Sequence, residues 1–349
     1  MAPDTNTIKP FVKLGEFLTD FCDTYYRNKQ ETNAELKEVI VTAGHQNGWF
    51  TEDNLLFALQ QWGTLLTEKN IMDWMSRYSF NPDKQPKNVG IVMAGNIPLV
   101  GFHDFLCVVL SSHRVLAKQS SNDKLLLPYL VRFLVEQEPS FSDKISFVDD
   151  KLKDFDAVIA TGSNNTSRYF EYYFGKKPNI IRKNRNSIAL LTGRESQEQL
   201  NALGEDIFRY YGLGCRNVSK IFVPKGYDFD VLFKALYPYK DIINQHKYAN
   251  NYDYNKAVYL MSEFNILDNG FLILKEDEAL ASPISVLFYS YYDDESKLME
   301  QLLGGMEEQI QCVVSKGLHD DHVGFGETQK PSLTDYADGI DTMEFLLQL

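Results

Sequence analysis

Leu14, Phe17, Leu18 and Phe21 recur at helical spacing, as do Leu55, Leu56 and Leu59. An apolar stripe with that period predicts helices that bury one face. The chain up to about Asn88 is therefore expected to be helical and to end at Pro82 and Pro86. The period then changes. Val89–Ala94 reads as a buried strand, followed by a turn at Gly95-Asn96-Ile97-Pro98 and an apolar helix. Arg114–Lys118, Ile145–Val148 and Ala157–Ala160 read as further strands, and Ser120, Ser121, Asn122 and Asp123 offer caps for a helix over Lys124–Glu136. Short apolar strands alternating with helices imply a parallel sheet covered on both faces. A second α/β portion starts near Asn186. It has strands at Ser187–Leu191, Lys220–Val223, Ile284–Tyr289 and Gln311–Ser315, and a helical face at Leu203, Ile207 and Tyr211. The expected fold class is α/β: a helical region over 1–88, a Rossmann-type domain over 89–185, and a second α/β domain over 186–349.

Composition narrows the function. With 349 residues, 44% of them hydrophobic, the chain is long enough for two domains. A formal net charge of -13 argues against nucleic-acid binding, because an acidic surface repels a phosphate backbone. Cys22, Cys107, Cys215 and Cys312 lie far apart without metal-ligand spacing, so neither a disulfide framework nor a zinc site is expected. Reduced thiols and the absence of a basic and then apolar leader point to a cytoplasmic protein. The longest apolar stretch, from about Val89 to Leu110, holds Asn96, Pro98, His103 and Asp104, which are costly in lipid, so no membrane span is expected.

Several positions are candidates for chemistry. In Tyr211-Gly212-Leu213-Gly214-Cys215-Arg216-Asn217 a helix runs into two glycines and then a cysteine. Glycines permit a sharp turn and close approach of a ligand. Arg216 and Lys220 are placed to favour the thiolate, the nucleophilic form. Local sequence alone still favours a small buried hydrophobe at a helix stop. Asn96, at the tip of a strand, reads as an oxyanion donor or as an ordinary turn residue. Thr161-Gly162-Ser163 leaves a strand for a helix, which suits a nucleotide or a plain N-cap. Lys118, with Ser120 just beyond it, ends a strand where open parallel sheets bind ligands. Lys176, Lys177, Arg182, Lys183 and Arg185 form a basic run that reads as a phosphate contact or a solvated face.

Taken in order, Ala94–Val100, Ala160–Ser163, Gly212–Ser219, Gly324–Gln329 and Pro331–Tyr336 resemble the acyl-CoA reductase family of the LuxC type, in the aldehyde-dehydrogenase superfamily. The resemblance spans about Asn88 to the C-terminus. It implies an aldehyde-dehydrogenase-like fold, with Cys215 as nucleophile and Asn96 as oxyanion donor. It places Lys118 at the adenosine ribose and Gly162 and Ser163 against the dinucleotide; Ser120 and Thr161 join these as candidate cofactor contacts. The implied reaction reduces an acyl thioester, a long-chain fatty acyl-CoA, to an aldehyde with NADPH (or NADH). It brings with it an acyl-transferring protein and a homo-oligomer as expected partners.

Two departures matter. The hydrolytic members carry a water-activating glutamate in Glu-Leu-Gly-Gly, whereas Arg182-Lys183-Asn184-Arg185-Asn186 has no acid. A reductase does not need one, since hydride rather than water attacks the thioester. The second superfamily glutamate, in Glu-x-Phe-Gly-Pro, is displaced here, with Ala279 at its place in Glu278–Pro283. An acyl-phosphate reductase and an inactive scaffold subunit remain alternatives.

Overall fold

α1 (Thr5–Arg27) turns Phe11, Leu14, Leu18 and Phe21 inward. It is followed by α2 (Ala34–Gln46), α3 (Glu52–Leu65) and α4 (Glu68–Met75). The computed structural model describes residues 5–81, 83–317, 319 and 321–349; the first four residues and Pro82, on which the leader and one helix-ending expectation rest, lie outside these. The chain divides into two units, residues 1–183 with 332–349, and residues 184–331.

In the first unit the strands β1 (Asn88–Val92), β2 (Arg114–Lys118), β3 (Ile145–Phe147), β4 (Ala157–Thr161) and β5 (Asn179–Arg182) form a parallel sheet ordered β3-β2-β1-β4-β5. The chain winds outward through α5 (Phe102–Leu110) and α6 (Leu126–Gln137) to β3, then returns to the other side of β1 at β4 and continues through α7 (Asn164–Phe174) to β5. The reversal makes a switch point between β1 and β4, and ligands of open α/β sheets bind at the carboxyl ends of strands there. Val92 pairs with both Lys118 and Ala160, so the three strand ends are level. The N-terminal helices share one core with Leu106, Leu130, Leu134 and Phe141.

No side-chain cap bond closes the start of α6, and Asp123 accepts from Leu99 N at 2.9 Å instead. Ser120 does not serve as the cap its position suggested; its Oγ accepts instead from Asn122 N at 3.2 Å. The basic run 176–185 is not a single patch either. Arg182 is buried and bidentate on Asp104 at 2.5 and 2.8 Å, Lys183 pairs with Glu171 at 3.0 Å, and Arg185 Nη1 donates to Ile310 O.

The second unit holds β6 (Asn186–Leu190), α8 (Gln197–Phe208), β7 (Val218–Pro224), α9 (Phe229–Leu236), α10 (His246–Met261), β8 (Ile266–Asp268), β9 (Ile273–Glu276), β10 (Val286–Tyr292), α11 (Glu295–Gly305) and β11 (Ile310–Val314). Its sheet is ordered β11-β6-β7-β10-β9-β8, parallel except for the edge strand β8. Leu200, Leu203 and Ile207 of α8 and Leu232 and Leu236 of α9 bury against Ile221, Val223 and Leu287.

Residues 332–349, expected with the second domain, belong to the first unit, where α12 (Thr342–Gln348) ends the chain. Buried polar groups hold them there. Tyr336 accepts from Trp74 Nε1 at 2.7 Å, Thr342 from Arg182 Nη2 at 2.9 Å, and His113 Nε2 lies 2.9 Å from Leu346 O. These anchors are scattered along the chain, so no local pattern announces them. Among the described residues, no helix is long and apolar enough to cross a membrane and no His/Cys/Asp/Glu group could hold a metal ion.

Candidate functional site

Six of the seven residues singled out from the sequence sit in the first unit, around the carboxyl ends of β1, β2 and β4. Asn96 is exposed on the turn after β1. Gly95 beside it packs so tightly that an added Cβ would lie 2.6 Å from Ser120 Oγ and 2.7 Å from Ser120 Cβ. The turn and the β2 end therefore form one surface. Leu99, at φ 58°, is held in the left-handed region with its N–H donated to Asp123 Oδ2 at 2.9 Å. Burial pushes the Asp123 carboxyl up to about 6 despite the Leu99 N–H on Oδ2, and its Oδ1 has no hydrogen-bond partner. Asp123 also lines a small cavity with Met93, Leu99, Phe102 and Gln119.

Lys118 is half-buried at the end of β2, its Nζ donating to the carbonyls of Asp149 and Asp150. Thr161 ends β4 and Gly162 follows it. A Cβ on Gly162 would meet Phe170 at 2.9 Å and Thr166 at 3.1 Å, so the backbone runs close over the first turn of α7. Ser163 is the N-cap of α7, its Oγ accepting from Thr166 N at 3.3 Å. Two glycine-containing turns thus flank the switch point, where open α/β sheets bind ligands.

Cys215 lies in the second unit, on the loop between α8 and β7. It is exposed, whereas Cys22, Cys107 and Cys312 are buried. The loop is strained and fastened. Tyr210, Tyr211 and Gly212 follow one another at φ 53°, 59° and 77°. Two non-glycine residues in the left-handed region persist only where surrounding contacts over-determine them. Asn217 supplies those contacts from a buried position. Its Nδ2 donates to the carbonyls of Asp206, Ile207 and Arg209 at 3.0, 3.4 and 2.7 Å, and its Oδ1 accepts from Gly214 N at 2.9 Å. Ser187 Oγ donates to Cys215 O at 3.0 Å.

The segment Gly324–Gln329 finds its place here. Asp206, buried on α8, accepts from Gly326 N at 2.7 Å, Thr328 N at 3.0 Å and Thr328 Oγ1 at 2.8 Å, while Arg216 Nε donates to Thr328 O. Burial outweighs those three donors and pushes the Asp206 carboxyl up to about 6. Two expectations change. Arg216 is engaged by Thr328, and Lys220 is buried with its Nζ on Asp277 O and Ser290 Oγ. Sequence reasoning misses Ser187 and Asp206, and gives Asp123 only as a helix cap rather than as the acceptor for Leu99 N. Their partners are distant in the chain, and the one available signal is the Gly324–Gln329 motif.

The family described as acyl-CoA reductase (LuxC) matches residues 19–232. No curated protein matches the chain. Among solved structures the fold is similar to that of a point mutant of aldehyde dehydrogenase from Bacillus cereus, with TM-score 0.60 and 13% identity over 90% of this chain and 72% of that one. It is similar also to the aldehyde dehydrogenase KauB from Pseudomonas aeruginosa, with TM-score 0.60 and 10% identity over 83% and 68%. A third is a mutant indole-3-acetaldehyde dehydrogenase from P. syringae in complex with NAD+ and IAA, with TM-score 0.61 and 10% identity over 84% and 69%.

Proposed function

The chain belongs to the acyl-CoA reductase (LuxC) family, and on that premise we propose that it reduces a long-chain fatty acyl-CoA to the aldehyde with NADPH, through an acyl group held on Cys215. The observation that carries this is the contrast among the cysteines. Three are buried, and the exposed one sits on a strained loop fixed by Asn217 and Ser187. A nucleophile benefits from such fixing, because orientation is then not lost at the moment of attack.

The thiolate of Cys215 attacks the thioester carbonyl, a new C–S bond forms, and the bond to coenzyme A breaks. Coenzyme A leaves as a thiolate and takes a proton from solvent. Asn96 has the role its motif implies, donating from its side-chain amide to the oxyanion. Lys118, Ser120, Thr161, Gly162 and Ser163 would hold the nicotinamide nucleotide. When bound, the nucleotide supplies the hydride that takes the acyl carbon to the aldehyde level. Cys215 then departs as thiolate as the C–O double bond re-forms. Arg182–Asn186, which brings no carboxylate, favours reduction over hydrolysis. Its Arg182 is already taken by Asp104.

Acyl-CoA without nucleotide, followed by peptide mass analysis, tests the covalent step. One acyl group on the Cys215 peptide, removable by hydroxylamine, is expected. Labelling by acyl phosphate but not by acyl-CoA would replace the substrate, and no labelling by either would overturn the reading.

A further inference from the structure

β7 starts three residues after Cys215, and it carries a lysine whose ladder partners, Ile188 and Phe288, are apolar. Lys220 is fully buried, on the face it shares with Phe222 and, across the ladder, with Phe288 and Lys275. A buried ammonium is costly unless its donors are met. Its Nζ donates to Asp277 O and, at 2.6 Å, to Ser290 Oγ; Ser290 Oγ in turn donates to Asp277 O at 3.1 Å. Two donors thus converge on one carbonyl, at the start of the crossover 277–285 that joins β9 to β10. The residue before, Ser219, is an extra residue between the pairs Ser187↔Val218 and Ile188↔Lys220. Such a bulge re-aims a side chain, and Ser219 Oγ donates to Leu280 O at 2.7 Å. Two consecutive residues of the strand leading from Cys215 therefore hold the crossover backbone at its start and its middle. Between these anchors Glu278 and Ala279 are exposed. The Cys215 loop has fasteners of its own in Asn217, Ser187 and Thr328.

We propose that Lys220 is a positioning residue that fixes the crossover 277–285 to the Cys215 strand, and that this fixing serves the steps after Cys215 is acylated. The proposal rests on the acyl-cysteine reading above. Lys220 touches no reacting atom and acts through Asp277 O. Its charge strengthens both hydrogen bonds. Burial pushes the ammonium down to about 8; Glu278, Asp277 and Glu276 oppose that shift and Lys275 adds to it. The crossover is thus held most firmly below that pH.

The test compares wild type, Lys220→Met and Lys220→Arg in the full chain. Three quantities are read: hydrogen exchange of the 277–283 amides, acylation of Cys215 by acyl-CoA, and aldehyde formation with NADPH. In Lys220→Met, exchange over 277–283 is expected to rise at least tenfold. Acylation should stay within about threefold of wild type and turnover should fall at least tenfold. Lys220→Arg should restore protection and turnover, and should move the alkaline fall in turnover from about 8 to higher pH. Should Lys220→Met not fold, Ser290→Ala, which removes one of the two donors to Asp277 O, carries the same test with a smaller loss. Unchanged exchange, or equal loss of acylation and turnover, would overturn the proposal. A wild type that forms no acyl-enzyme would sink the acyl-cysteine reading instead, and the exchange data would still decide whether Lys220 anchors the crossover.

Discussion

Ser187 Oγ, buried at the start of β6, donates to the carbonyl of Cys215 across 3.0 Å. The bond ties the cysteine's backbone to a central strand, so the loop inherits the rigidity of the sheet. Ser187→Ala should cost about 1 kcal/mol of stability, the net worth of one hydrogen bond. It should slow acylation of Cys215 and leave nucleotide affinity unchanged. Urea unfolding and the acylation rate check both parts.

Asn217 is the stronger fastener, since it meets four backbone groups around the strained turn. Asn217→Ala leaves them unmet and should cost about 2–3 kcal/mol. Asn217→Asp keeps the acceptor for Gly214 N but sets a carboxylate against three carbonyls, so it should be the less stable of the two. Thermal melts ranking wild type above Ala above Asp would bear this out; the order Asp above Ala would count against it.

Gly95 and Ser120 are in contact across the proposed nucleotide surface. A Cβ at 95 would sit 2.6 and 2.7 Å from Ser120 atoms, distances that force a shift. Gly95→Ala should weaken nucleotide binding about tenfold by moving the turn, a loss on the order of 1.4 kcal/mol. Adding Ser120→Gly relieves that contact but removes a proposed nucleotide contact, so it should recover only part of the loss. Fluorescence titration of the single and double variants reads the difference.

Asp206 gives stability a pH dependence of definite sign. Its carboxyl is raised from an ordinary value near 4 to about 6 by burial. Between those values the folded chain holds a proton that the unfolded chain releases. The favourable contribution is therefore present below about 4 and is lost as pH rises through about 6, a change on the order of 3 kcal/mol. Asp123 shifts the same way, so the comparison must isolate one site. In urea melts from pH 4 to 7, the stability of wild type relative to Asp206→Asn should fall with rising pH. A flat difference would refute the assignment.

The first sheet is legible in the sequence because parallel strands buried on both faces read as short apolar runs; Ala157–Thr161, buried at its first four residues, shows it directly. β5 is not legible as a strand, because Arg182 reads as part of a basic run. Its partner Asp104 lies 78 residues earlier in the chain. α10 escapes because it has no apolar stripe and buries Tyr248, Tyr252 and Asn255 together. At the site, Gly212-Leu213-Gly214-Cys215 marks the turn, but what fixes it comes from elsewhere in the chain. Asp206 looks like a solvent-facing helix carboxylate until Gly326 and Thr328 arrive on it. Lys220 looks like a thiolate partner, but its hydrogen bonds go to the crossover.

The most direct test of the account is oxidation of NADPH, with NADH in parallel, on adding a series of acyl-CoAs to wild type and to Cys215→Ala. Since Cys215 is exposed, the variant should fold as wild type does. The account predicts oxidation by wild type with one aldehyde formed per nucleotide consumed, and none by the variant. Oxidation that persists in Cys215→Ala, or folded wild type that turns over no acyl-CoA, would contradict it.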